Sequence, residues 1–147
     1  MKAITKVRRF WQVLRNWHAA WELLDWEERR TAEAVRLGEA LDELDLPERG
    51  CPGAFKRGLA ASEIGQALWL ADQYGIELHI GTCFGDCRAV LPKDRWAHPI
   101  APDADQWSYS LFMRQDPAKV ASIQWISRWP EIAISQCVVN AKRAGVI

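Results

Sequence analysis

Three histidines and four cysteines are the side chains in this chain best suited to catalysis or metal binding. Nucleophilic catalysis needs a thiol or hydroxyl beside a base. A structural zinc site needs four thiolates or imidazoles, most often with two of them as a C-x2-C knuckle. Cys83 and Cys87 bracket Phe84-Gly85-Asp86 in a C-x3-C spacing, and Cys51 and Cys137 stand alone. That spacing is wrong for the common zinc types, so no metal is expected. A couple of His79 with Cys83 or Cys87 is conceivable, but thiols buried on a sheet are the plainer reading, since cysteine is among the most buried residue types. His18, His79 and His98 include no pair at the i, i+4 spacing of a helical metal site. Asp86, Asp94, Asp103 and Asp105 fall in loops without the D-x-D-x-D-G order that wraps a calcium ion. Gly53, Gly81 and Gly85 form no phosphate-cradling spacing. The expectation is a non-enzyme with no cofactor.

Composition narrows the remaining classes. Nineteen basic and nineteen acidic residues cancel, which argues against a dedicated binder of phosphate backbones. No apolar run approaches the roughly 20 residues that span a bilayer. The opening MKAITKVRRF lacks the apolar core of a signal peptide. The expected setting is the cytoplasm, where the cysteines are thiols.

The chain is instead rich in flat aromatic surface. Four of its nine tryptophans, Trp11, Trp17, Trp21 and Trp26, lie within residues 8–26. Val7, Phe10, Leu14, Trp17, Trp21 and Leu24 recur at gaps of 3, 4, 3, 4, 3, the spacing of a helical seam. Four indoles exceed what a helical segment of this length can bury by itself. They are either core, packed on the rest of the chain, or an interface, covered by a second copy or another protein. Arg8, Arg9 and Arg15 belong to a stretch, 1–20, with five basic residues and no acid; residues 21–48 hold ten acids against Arg29, Arg30 and Arg36. This polarity suits antiparallel self-pairing or a partner bearing patches of both signs. The following acids disfavour an anionic membrane surface.

The elements that position these residues can be read from periodicity. A second stripe, Ala34, Leu37, Leu41 and Leu44, falls out of phase with the first. Either the helix breaks near Asp25, where Asp25 and Glu28 form a capping-box pattern, or the stripe rotates around one long rod. Residues 1–46 are read as this helical region and 47–59, with Pro47, Gly50, Pro52 and Gly53, as a linker. From 60 to 147 the pattern predicts a helix from Ser62 to Tyr74, capped by Ser62, stopped by Gly75 and facing inward with Ile64, Ala67, Leu68 and Ala71. A strand follows in which Ile76, Leu78 and Ile80 alternate, then a tight turn at 84–86 and a returning strand at 87–91. A proline loop occupies 92–105 and a third strand 107–113. Residues 117–127 read as helix or strand with nearly equal weight, and a last helix runs from Pro130 to Gly145. The expected fold class is α+β: an N-terminal helical region, as one long helix or a hairpin, followed by a small antiparallel sheet flanked by helices.

Two phrases, ALWLADQYGIELHI at 67–80 and RWPEIAISQCVVNAKRAG at 128–145, carry a resemblance. With the short hairpin between them, residues 60–147 resemble small uncharacterised phage and prophage proteins with an alpha-beta-alpha sandwich domain. The resemblance implies viral or prophage origin and no defined chemistry. The expected function is that of an accessory protein binding a host protein or complex, most concretely an inhibitor of a bacterial defence system such as a CRISPR effector. Its contacts would be Trp11, Trp17, Trp21, Trp26, Arg8, Arg9 and Arg15, with self-association through the same helices. The alternative is a small DNA-binding regulator in which the helices around Trp129-Pro130 act as a helix-turn-helix, with Arg128, Lys142 and Arg143 as its charge.

Overall fold

In a computed structural model the described residues are 2–44, 60–81, 86–104 and 116–147. The fold is α+β, as the sequence pattern required. A long helix, α1 (Lys2–Glu43), is followed by α2 (Ile64–Tyr74), the strands β1 (Glu77–Ile80), β2 (Cys87–Pro92) and β3 (Ser122–Ser127), and the last helix α3 (Pro130–Arg143). Residues 1–33 form one compact unit and residues 34–147 a second, so α1 contributes to both.

α1 is unbroken. From Lys2 to Leu37 it meets neither proline nor glycine, and the pairs His18–Glu22 (3.4 Å) and Asp25–Arg29 (2.8 Å) span single turns of its surface. Asp25 therefore braces a continuing helix rather than capping a new one. The second stripe does enter the core of residues 34–147: Leu37 and Leu41 are fully buried, and Ala34 and Leu44 pack against the cluster.

The strands form one antiparallel sheet in the order β1-β2-β3. Ile80 is paired with Cys87 and Leu78 with Ala89; across the other edge Leu91 is paired with Ile123 and Ala89 with Trp125. Directly paired residues share a face, so Cys87, Ala89, Leu91 and Ile123 line the inner face. α3 packs on β2 and β3, and α2 packs on α3. From Glu131 to Ala141 every residue of α3 is buried, which makes it the central element of this unit. Two of its buried polar side chains are partnered: Arg36 Nη2 donates to Gln136 Oε1 (3.1 Å), and Gln136 Nε2 donates to Asn140 Oδ1 (2.9 Å). Pro130 starts α3, and Gly145 (φ 75°) turns the chain beyond it. The tail then holds the proline loop, Val146 O accepting from the backbone N–H of Ala97 (2.8 Å) and of His98 (3.2 Å).

Three expectations change. α2 begins after Glu63, not Ser62, and Ile64 and Leu68 are exposed while Ala67, Leu70 and Ala71 are buried. The face is rotated because α2 lies on α3, which meets the i, i+3, i+4 row starting at Ala67. Residues 117–127 resolve as a 3-10 turn (Pro117–Lys119) and the strand β3, so Asp116 caps a single turn, its Oδ1 accepting from Ala118 N–H (3.1 Å). In β1 the alternation fades outward, from buried Ile76 to exposed Ile80 at the end of an edge strand. The linker at 47–59, the turn at 84–85 and the strand expected at 107–113 lie outside the described residues.

Candidate functional site

The residues with chemical potential are placed apart. Successive side chains on a strand point to opposite faces. Cys87 therefore shares the inner face with Ile80, whereas His79 shares the outer face with its register partner Arg88. A couple of Cys87 with His79 is ruled out by that parity; Cys83 lies outside the described residues. His79 Nε2 instead sits 3.2 Å from Glu77 Oε2 on exposed surface. Burial raises the Cys87 thiol above its ordinary range, with Glu131 and Asp86 adding to the effect. Cys137 is pushed up to about 12 by burial, a backbone hydrogen bond at Leu91 opposing slightly. Both groups are thus held as thiols, the reverse of an activated nucleophile.

Of the four loop acids, Asp105 lies outside the described residues. Asp86 precedes β2 and Asp94 follows it, so a strand of about 20 Å lies between them. Asp86 meets Arg128 at 3.9 Å. Among the described residues no group of three or more His, Cys, Asp or Glu side chains could hold a metal ion. The helix-turn-helix of the alternative reading loses its first helix, because residues 122–127 are strand. It also loses a free recognition face, because α3 is buried along its length and only Arg143 at its end is exposed.

The remaining feature is the first unit. Every residue from Ile4 to Arg29 is exposed. Trp11, Trp17 and Trp21 are 61%, 64% and 60% exposed, and Trp26 39%. The seam residues Val7, Phe10, Leu14 and Leu24 are exposed with them. The i, i+4 spacing sets the Trp17 and Trp21 rings edge to face, with centroids 5.9 Å apart at 81°. Phe10 and Trp11 meet similarly at 6.4 Å and 73°. A recess of about 550 Å³ runs along this face, lined by Leu14, Trp17, Trp21 and Leu24 with His18, Glu22, Asp25 and Glu28 at its edge. Arg8, Arg9 and Arg15 are exposed on the same unit. Sequence reasoning missed Ile4 and Val13, which are also exposed. They lie off the strict seam, and only a count of apolar residues on all faces of 4–26 would have flagged them.

Fold and surface together define a small α+β protein whose long N-terminal helix presents an aromatic seam. Comparisons with protein-family models, with curated proteins and with solved structures return no match to this chain. Among the described residues no helix is long and apolar enough to cross a membrane.

Proposed function

We propose that this is a non-enzymatic binding protein, and that α1 is the element through which it holds another polypeptide. One observation carries the reading: the four indoles of residues 8–26 stand exposed. Contiguous apolar surface of this extent marks interaction sites, and tryptophan is enriched where single side chains contribute 2 kcal/mol or more to binding. Trp11, Trp17, Trp21 and Trp26 supply the area to be desolvated. Arg8, Arg9 and Arg15 accelerate encounter with an acidic patch beside it.

The target in this reading is a host protein complex. The resemblance at 67–80 and 128–145 supports a phage or prophage accessory protein acting in the host cytoplasm, and inhibition of a bacterial defence system such as a CRISPR effector is its concrete form. Such an inhibitor acts by steric occupation and needs no chemistry of its own, which fits Cys87 and Cys137 held as thiols and, among the described residues, histidines without a catalytic partner. The test is to express the full chain in bacteria carrying an active CRISPR effector and to plate a targeted phage. The wild type restores plaques, and Arg8→Glu with Arg9→Glu and Arg15→Glu reduces the effect while the protein stays folded. Failure to restore plaques, together with no host protein retained by the purified chain, overturns the reading.

A further inference from the structure

We infer that the seam of α1 pairs with the same seam of a second copy, the two helices running antiparallel about a centre between Arg15 and Asn16. This rests on the reading of α1 as a binding element and adds its first occupant. The seam from Val7 to Leu24 is symmetric about that centre: turned over, Phe10 falls opposite the second copy's Trp21 and Leu14 opposite its Trp17. Each layer thus pairs a heptad a position with a d position, the arrangement that lets knobs enter holes.

Charge selects the direction. Positions 2–10 carry Lys2, Lys6, Arg8 and Arg9 and no acid, whereas 21–29 carry Glu22, Asp25, Glu27 and Glu28 against Arg29, which Asp25 already engages at 2.8 Å. A parallel pair would lay each block on its like; the antiparallel pair lays basic on acidic. Lys6 and Glu27 both flank the seam at position g, and inversion brings Lys6 opposite the second copy's Glu27, twice in the symmetric pair. Area is sufficient. At about 100 Å² for each of six seam side chains per copy, the pair covers roughly 1,200 Å², the lower bound of a stable specific interface. A helix without tertiary packing is marginal in water, so pairing also supplies what holds residues 2–33 helical. In the dimer Trp17 and Trp21 serve the self-contact, and the host contact falls to Trp11, Trp26 and the arginines.

The test is light scattering of the full chain after size exclusion across micromolar concentrations. The expected result is a dimer. Lys6→Glu and Glu27→Lys each weaken it about fivefold, and the double variant restores it. These variants leave the indoles in place, so loss of folding does not confuse the outcome. A monomer at about 100 µM, or a double variant weaker than either single one, overturns the inference. A chain that dimerises in this way but retains no host protein sinks the proposed function alone; a monomer that binds a host complex does the reverse.

Discussion

Leu37 and Trp17 lie on one helix, and their truncation has opposite consequences. Leu37 is fully buried in the core of residues 34–147. Leu37→Ala removes its transfer free energy and leaves a cavity that the surrounding core closes only in part, at a cost of about 3 kcal/mol. For a unit of this size the urea midpoint should fall by roughly 2 M. Trp17 and Trp21 are already some three-fifths in water. Changing both to Ala forfeits an edge-to-face contact of about 1 kcal/mol and recovers about 0.5 kcal/mol of helix propensity per site. The two terms nearly cancel, and both act on residues 1–33. The midpoint of the second unit should therefore stay within about 0.5 M of wild type. Urea titration followed by the fluorescence of Trp69, Trp125 and Trp129, which pack against the core, measures this directly. If the double tryptophan variant loses as much as Leu37→Ala, the indoles are core and their exposure has been misjudged.

Other perturbations address the second unit. Cys137 has a folded pKa of about 12 against 9.0 in the unfolded chain, so above pH 9 the unfolded state releases the proton first. Stability contributed by the neutral thiol is full below pH 9 and falls through pH 12, by about 1 kcal/mol at pH 10; denaturation of Cys137→Ala across this range should lack that component. Gly145→Ala places a methyl 3.1 Å from the Ala101 Cβ at φ +75°, and a thermal melt should show a loss of about 1–2 kcal/mol. Arg36→Ala strips Gln136 Oε1 of its donor and should cost about 1–2 kcal/mol in chemical denaturation. Ser135→Ala removes a buried hydroxyl that has no hydrogen-bond partner among the described residues, and the same measurement should find it neutral or stabilising.

The parts legible in the sequence were those that local chemistry decides. Gly75 adopts φ 69° at the end of α2 and Pro130 opens α3, as punctuation required. The hairpin strands could be read because β-propensity and alternation agreed over 87–91. Where tertiary context decides, the pattern underdetermined the answer. SIQWIS alternates well enough for a strand, yet Asp116-Pro117 starts a helix equally well; pairing with β2 settles it, and that pairing spans the proline loop. Ile64 and Leu68 read as core because they are large. Their exposure depends on the position of α3, which no local window contains. At the candidate surface, spacing revealed the seam, but a 3-4 rhythm is the same whether the seam is buried or bare.

The two stripes of α1 explain why one helix is both buried and bare. Val7, Phe10, Leu14 and Trp17 reappear as Ala34, Leu37, Leu41 and Leu44, each 27 positions further on. At 3.6 residues per turn that interval is about seven and a half turns, so the same rhythm returns half a turn out of phase. Had α1 broken at Asp25, a hairpin could have brought both stripes onto one surface. It continues instead, with Asp25 bonded to Arg29 one turn on, and of the two stripes the one in residues 34–44 is packed in a core whereas the residues of the other are exposed. The second stripe has its cover in the core of residues 34–147. The first, which carries the larger and more aromatic side chains, needs another, and the charge reversal along residues 2–29 is what would let a second copy provide it.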